Sequence, residues 1–350
     1  MMLKSVQPAE GSNVQGVPLE RAGRHGAALK RLLLSSEFGL LLLLALIFAT
    51  FWGLTRGFSS PFNQFGLSRS VAVNILISLS MMSVIVSGGL DLSIGAIGVC
   101  ASILVGWLMQ VCQWPMPASV AAGLALGGLL GFANGQAIVR TGMHSFVVTL
   151  ATMSVFFGGM IVLTKARPFD SLPEDFSSPA QRHLIGAVSP LLACSLLIAC
   201  AMAYLYRLTD VGRNMLAVGA NARAALLSGV SVTRAVTLCH VLAGGLAAVA
   251  GVMLSMRNGA AIPSMAGNLG QDWLLPAFLG PVLGGTPLSG GRASVLGAVL
   301  GAMLVSVIDN GLLLLHVGAF WLQFFLGALL LGAVLVDKAR MRVFAHRERS

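Results

Sequence analysis

Long apolar stretches alternate with short polar ones along most of the chain, and this pattern predicts membrane-spanning helices. A helix needs about 20 mainly apolar residues to cross the hydrocarbon core of a bilayer. Ten stretches meet or approach that length. The predicted spans are residues 37–55, 69–87, 91–111, 117–139, 144–164, 184–206, 234–256, 270–284, 293–315 and 318–336.

The eighth stretch differs from the others because it is short and contains Pro276 and Pro281. Proline removes a backbone donor and disturbs the preceding helical turn. Irregular backbone survives at membrane depth only where protein or a water-filled cavity covers it. We therefore predict a broken or re-entrant segment here.

The basic residues predict the orientation of the bundle. With both termini in the cytoplasm, 16 of the 22 Lys and Arg residues fall on the cytoplasmic side. Cytoplasmic loops carry an excess of these residues, so the count favours this orientation. The sequence predicts an all-α, polytopic transmembrane helical bundle of about ten spans. Residues 1–36 are predicted as a disordered cytoplasmic tail, 37–337 as the transmembrane domain and 338–350 as a basic cytoplasmic tail.

Composition agrees with the pattern and excludes several classes of protein. Hydrophobic residues make up 56% of the chain and charged residues 10%, whereas soluble domains carry roughly a quarter charged residues. The net charge of +10 comes from basic residues at the ends of spans. Nucleic-acid binding needs a continuous basic surface, so none is predicted. Membrane lipid is the expected surrounding.

No residue pattern in the chain predicts catalysis. The G-x-S-x-G and H-E-x-x-H motifs are missing, and the five cysteines form no C-x-x-C pair, so neither a catalytic group nor a metal site is expected. The G-x-x-x-x-G-K-[ST] loop that cradles nucleotide phosphates is also missing. The chain is therefore predicted to bind no cofactor and to hydrolyse no ATP by itself.

Asp91 is the most informative single residue. A carboxylate at mid-membrane costs about 2.5–3.5 kcal/mol on insertion scales, so it marks a pathway or a partner. Asp91 also follows Gly88-Gly89 and precedes an apolar helix, where a carboxylate caps free amide groups. Capping is the favoured interpretation, and a role in a pathway is compatible with it.

Other polar and aromatic side chains in the predicted spans are candidates for lining a path for a polar solute. The same amide and hydroxyl groups also hydrogen-bond neighbouring helices, and plain packing is favoured for Phe146, so both interpretations stay open. The candidates for the path are Asn74, Asp91, Ser93, Asn134, Phe146, Thr149, Asn310 and Gln323.

Residues 212–230 predict a docking element on the cytoplasmic side. Asn221 is expected to cap a short helix that runs through Ala224 and Leu227, and Gly229 is expected to end it. One face would present Ala224, Leu227 and Val230. A short amphipathic helix of this kind suits docking into a groove of another protein.

An ordered set of motifs resembles the permease subunits of bacterial ABC importers for monosaccharides, the group of the ribose, xylose and galactose systems. The resemblance extends from Val71 to Lys338. Its motifs are Gly88-Gly89-Leu90-Asp91-Leu92-Ser93-Ile94-Gly95, Gly212-Arg213, Ser228-Gly229-Val230, Gly244-Gly245-Leu246-Ala247, Ala250-Gly251, Leu283-Gly284-Gly285-Thr286, Asp309-Asn310-Gly311 and Asp337-Lys338.

The resemblance implies a permease homodimer in the bacterial inner membrane that imports a small sugar by alternating access. It implies a cytoplasmic ABC ATPase subunit, which would hold ATP and Mg, and a periplasmic sugar-binding protein. The ATPase-coupling residues would be Gly219, Asn221, Ala224, Leu227, Ser228, Gly229 and Val230.

The chain departs from the family pattern at Ala220, between Asp272 and Pro281, and at Pro287, which leaves the solute open. A nucleoside or a sugar-like signal molecule is an alternative. An ion-gradient-driven secondary carrier would need several embedded ionisable residues, and the sequence offers chiefly Asp91, with Asp272 and Asp309 near span ends. A membrane enzyme lacks a catalytic constellation.

Overall fold

A computed structural model describes residues 36–317, 321–332 and 335, which form a bundle of packed helices. The predictions for the two tails fall on residues 1–35 and 338–350, which lie outside the described residues, as do parts of the tenth predicted span. The helices are α1 (Ser36–Leu54), α2 (Pro61–Ile85), α3 (Ile94–Gln110), α4 (Met116–Thr141), α5 (Ser145–Thr164), α6 (Glu174–Gln181), α7 (Pro190–Leu208), α8 (Asp210–Ala220), α9 (Ala222–Leu227), α10 (Val232–Asn258), α11 (Leu274–Leu283), α12 (Val295–Leu314) and α13 (Trp321–Gly332).

Seven helices among the described residues are long and apolar enough to cross a membrane, namely α1, α2, α4, α5, α7, α10 and α12. Two further apolar helices, α3 and α13, are shorter. Together with the segment that contains α11, they account for the ten predicted spans. The polytopic all-α prediction is therefore confirmed.

Helices α2 and α10 form the centre of the bundle. Most of α2 is buried, and α10 packs against α2, α3 and α4. Helix α4 approaches α10 through Gly127, Gly131 and Gly135, where any Cβ would collide with the backbone of α10. Small residues of this kind let helix backbones pack closely, which is how helices associate in lipid.

The eighth predicted span is broken. Residues 259–273 leave the end of α10 and run inward along α3: Ala261 packs on Gly106, and Gly270 packs on Gly95. A short 3₁₀ helix (Asn268–Trp273) leads into α11, which has 10 residues and is too short to span alone. The prediction of a broken or re-entrant segment is confirmed.

Several predicted boundaries were wrong because capping residues were overlooked. Helix α2 begins at Pro61, eight residues earlier than predicted, where Ser60 Oγ accepts a hydrogen bond from Asn63 N. Helix α7 begins only at Pro190, after the cap Ser189. Ser and Thr before a proline at the first helical position are strong start signals. Helices α6 and α8 are not among the ten predicted spans.

Candidate translocation and coupling sites

The predicted short helix on the cytoplasmic side is α9. Asn221 Oδ1 accepts a hydrogen bond from Ala224 N at 3.0 Å, which is the predicted cap. At the other end, Val230 N donates to Ala225 O and Gly229 N donates to Leu226 O. This pair of bonds, with Gly229 at φ +84°, is the Schellman arrangement that ends a helix at glycine.

The two faces of α9 have different surroundings. Ala225 is buried against Val218 and Ala235, and Val230 packs on the same cluster. Leu226 and Leu227 point outward, and Leu227 is 90% exposed. Ala224 is exposed beside them, as is Ser228, whose Oγ donates to Ala224 O. The structure therefore places Val230 against the bundle and adds Leu226, which the sequence analysis missed, to the outward face.

The start of α9 is tied to the membrane domain through backbone contacts. At Gly219, near the end of α8, a Cβ would collide with Val86 O and Gly291 N. Those two atoms are themselves joined, because Gly291 N donates to Val86 O at 3.0 Å. Val86 lies directly after α2, and Gly291 lies between α11 and α12. We call this three-way contact the cytoplasmic junction. The junction joins the end of α8 to the residue that follows α2 and to the segment between α11 and α12.

Asp91, Ser93 and Asn134 form one buried hydrogen-bond network. Asp91 Oδ1 accepts from Ser93 N at 2.8 Å and from Ser93 Oγ at 2.6 Å. Asn134 Nδ2 donates to Ser93 Oγ at 2.7 Å, which links α4 to the start of α3. All three residues are fully buried. Asp91 Oδ1 thus accepts the amide that immediately precedes α3, as the capping interpretation predicts.

Helix α5 holds the same loop from the other side. Thr149 Oγ1 accepts from Leu92 N at 3.1 Å and donates to Ser145 O at 2.8 Å. Ser145 Oγ accepts from Leu90 N at 2.8 Å. Ser145 was not predicted as a candidate residue. Its role depends on the fold, which places it opposite Leu90. The loop before α3 is consequently fixed by side chains of both α4 and α5.

Two of the remaining candidates bridge α2 and α12. Asn74 Nδ2 donates to Ser306 Oγ at 2.8 Å, which joins α2 to α12. Asn310 and Asn63 exchange two amide hydrogen bonds, of 2.9 and 2.8 Å. Their polar groups are satisfied within the chain, so both side chains tie α12 to α2.

Phe146 and Gln323 lie apart from both groups. Phe146 is 42% exposed on α5, although it follows the buried Ser145. Gln323 is exposed on α13. The structure therefore does not bring the eight candidates into one site, and four of them converge on the loop before α3: Asp91, Ser93, Asn134 and Thr149.

A set of charges at the outer ends of α2, α10 and α12 was not predicted as a site. Arg257 Nη1 donates to Ser70 Oγ at 3.0 Å, and the charges of Arg69 and Asp309 both act on Arg257. The Arg69 guanidinium lies 4.8 Å from the centre of the Phe65 ring. Such partly covered arginines and a carboxylate suit polar ligands at the outer mouth of the bundle.

One groove on the bundle suits lipid better than a polar solute. It has a volume of about 470 Å³ and lies between α3, α4 and α5. Its walls are almost entirely apolar and include Ile103, Trp107, Leu126 and Val155. Acyl chains match such a surface, whereas hydroxyl groups would lose their hydrogen bonds there.

Comparisons with known proteins agree on one family. Residues 63–334 match the family described as "Branched-chain amino acid transport system / permease component". The chain is 36% identical to the ribose import permease protein of Bacillus subtilis (strain 168), over 82% of this chain and 88% of the relative. It is 30% identical to the D-allose transport system permease protein of Escherichia coli (strain K12), over 86% and 91%.

A third relative is named for a solute other than ribose or allose. The chain is 31% identical to the autoinducer 2 import system permease protein of Enterobacter sp. (strain 638), over 92% of each chain. No solved structure matches the chain.

Proposed function

The chain belongs to the family of branched-chain amino acid transport system permease components, and we propose that it forms the path for a small sugar in an ATP-driven importer. It is a multi-pass protein of the bacterial inner membrane and a transport subunit rather than an enzyme. Relatives named for ribose and D-allose support the choice of a sugar. The relative named for autoinducer 2 supports a sugar-like signal molecule as the second candidate.

Permeases of this kind work with an ATPase and a solute-binding protein, so both are expected partners. The chain has no phosphate-binding loop of its own, so ATP and Mg²⁺ would be held by the ATPase subunit. We place the ATPase contact at residues 212–230. The periplasmic sugar-binding protein would dock at the opposite side, and lipid would cover the apolar outer faces.

The observation that carries the coupling assignment is the cytoplasmic junction. Leu226 and Leu227 offer an exposed apolar pair on a short helix, which suits a groove in a partner. Directly behind this helix, Gly219 touches the backbone of Val86 and Gly291 with no side chain between them. Such a contact transmits a displacement with little slack, because packed backbones do not deform continuously.

Two copies of the chain would enclose the path between them in a homodimer. Closure of the ATPase would push α9 of each copy, and the junction would move the inner ends of α2, α11 and α12. The path would then open to one side and close to the other, which is alternating access.

The first test is affinity purification of the tagged chain from its native membranes, with identification of the proteins that accompany it. We expect an ABC ATPase in near-equal amount. Leu227→Asp should abolish this association and transport, while membrane insertion stays normal. Ile185→Asp, which is equally polar and lies on the outer side, is the matched control. Transport by the purified chain without any ATPase would instead indicate a secondary carrier.

Gly229→Pro probes the same element through its backbone. The left-handed conformation of Gly229 is closed to proline, whose φ is fixed near −65°. The substitution should unwind the end of α9 and abolish transport with insertion intact. Normal uptake by this variant would remove the coupling role from α9.

A further inference from the structure

The turn Asn268–Trp273 lies inside the membrane-spanning part of the bundle. The backbone of Gly270 packs against Gly95 and Ala96 in the first turn of α3. Ser93, just before that turn, is bonded to Asn134. Asn134 is seven residues from the inner end of α4, which corresponds to about 10 Å at 1.5 Å per residue. The turn is therefore well above the cytoplasmic ends of the helices.

The distance to the outer end of α3 also places the turn inside the membrane-spanning part of the bundle. From Gly95 to the outer end of α3 at Gln110 the helix rises by about 22 Å. The hydrocarbon core of a bilayer is about 30 Å thick. The sequence predicts Asp272 near the end of a span, and the structure adds that residues 259–270 run along α3 before the turn forms.

The turn is shaped by two glycines. Gly267 and Gly270 have φ values of +74° and +78°, a region that other residues enter only with strain. The Asp272 carboxylate lies over Gly267, where a Cβ would collide with it. Asp272 N donates to Ala266 O at 3.1 Å, which closes the turn. The backbone thus fixes where the carboxylate points.

Three polar side chains of the turn face outward. Asn268, Gln271 and Asp272 are exposed, and none has a side-chain hydrogen bond or ion pair with any residue that the structure describes. Their neighbours Gly270 and Trp273 are buried, so the turn has an anchored side and a free side.

An exposed carboxylate at this depth cannot be left facing lipid. Ionisable residues inside membranes face the interior of a bundle, a water-filled cavity or a charged partner, and irregular backbone at membrane depth obeys the same restriction. The chain supplies no counter-charge among its described residues. Water in the path between two permease copies is the remaining environment that stabilises it.

We propose, on the basis of the proposed function, that Asn268, Gln271 and Asp272 line the solute path and bind hydroxyl groups of a polyhydroxylated solute. The carboxylate accepts hydrogen bonds from hydroxyl groups, while each amide both donates and accepts. A carboxylate flanked by two amides favours neutral, hydroxyl-rich solutes over anions. The ligand class is therefore a sugar or a sugar-like polyol.

Cysteine labelling in proteoliposomes tests this assignment without a known solute. Asn268→Cys, Gln271→Cys and Asp272→Cys are introduced separately into a variant that lacks the five native cysteines. Each protein, reconstituted with its ATPase, is exposed to membrane-impermeant methanethiosulfonate reagents on both sides. Phe132→Cys is the control, because Phe132 is 48% exposed and lies at nearly the same depth as Asn134 on α4.

We expect labelling at 268, 271 and 272 and none at 132. At Gln271→Cys, a cationic reagent should react several-fold faster than an anionic one, because the Asp272 carboxylate attracts the cation. A ratio of roughly this size is expected for a neighbouring charge in water. Adding Asp272→Asn should abolish that difference. Three unlabelled positions in a folded protein would overturn the proposal.

The labelling is read independently of the ATPase association. If no ATPase accompanies the chain but the turn is labelled, the importer assignment fails and the aqueous path stands. If the ATPase is present and the turn is unlabelled, the importer assignment stands and this path is wrong. Labelling without a difference between the two reagents would remove Asp272 from the path.

Discussion

Asp91 and Asp272 are carboxylates at similar depth on opposite sides of the start of α3, and their surroundings differ completely. Asp91 is fully buried, and its Oδ1 accepts two hydrogen bonds from Ser93. Asp272 is exposed and has no side-chain partner among the described residues. Depth alone therefore does not define the role of a membrane carboxylate; its partners do.

The comparison separates a structural carboxylate from one that is available to a ligand. Asp91 Oδ1 accepts two hydrogen bonds from Ser93, and its Oδ2 is buried without a hydrogen-bond partner among the described residues, so the residue organises the loop before α3. Asp272 is held by a glycine-rich turn that leaves its carboxylate free. Four experiments sharpen or break this distinction, and they follow in order of decreasing expected effect.

Gly270→Val should have the largest effect. Valine would have to adopt the left-handed backbone conformation of Gly270, and its side chain would collide with Gly95 and Ala96. Backbone strain and overpacking each cost about 1–3 kcal/mol. We expect loss of most folded protein, measured by fluorescence-detected size-exclusion chromatography. Val295→Ala, which is at the start of α12, is a control that removes bulk without strain.

Asp91→Ala should destabilise the protein by about 2–3 kcal/mol, because Ser93 N and Ser93 Oγ lose a charged acceptor. Asp91→Asn keeps one acceptor oxygen and should lie close to wild type. Asp272→Ala should change stability by less than about 0.5 kcal/mol, as surface substitutions do, yet reduce transport. Thermal unfolding in detergent, beside uptake in vesicles, checks all three variants. Equal stability losses for the two alanine variants would contradict the comparison.

Asn134→Ala should cost about 1 kcal/mol, the usual size for a hydrogen bond between membrane helices. It removes the donor to Ser93 Oγ and detaches α4 from the loop. The effect should disappear in the Ser93→Ala background, because the partner is already missing. A double-mutant cycle in thermal stability measures this coupling, and additive losses would exclude the contact.

Thr149→Val should destabilise the protein by about 1 kcal/mol, the low end for a buried donor that loses its acceptor. It removes the acceptor for Leu92 N and keeps the shape of the side chain. Hydrogen exchange at Leu92 should accelerate, while exchange at the turn Asn268–Trp273 stays unchanged. Faster exchange in both regions would indicate that they form one unit rather than two.

Local features of the site were predictable from sequence, whereas contacts between distant segments were not. The cap at Asn221 and the stop at Gly229 depend on neighbouring residues, and both are found where predicted. The capping role of Asp91 depends on Ser93, two positions away. The contact of Gly219 with Val86 and Gly291 joins three distant segments, and no local sequence pattern predicts it.

Dependence on contacts between distant segments also explains why the eight candidates for the path do not lie in one site. Asn74, Asn134 and Asn310 are all asparagines in apolar helices. The sequence did not decide whether each one bonds a neighbouring helix or lines the path. Their hydrogen-bond partners are Ser306, Ser93 and Asn63, and all three lie in distant segments of the chain. Gln271 and Asn268 were overlooked because they stand at the edge of a predicted span.

The sequence by itself determined that this protein is a polytopic helical bundle in a membrane and where the short cytoplasmic helix begins and ends. These features depend on apolar length and on caps, which are set within a few residues. The tertiary structure alone decided which carboxylate is enclosed and which one is free. Burial depends on the neighbours that other segments bring, and here the course of residues 259–270 along α3 places the turn that carries Asp272 beside the start of α3.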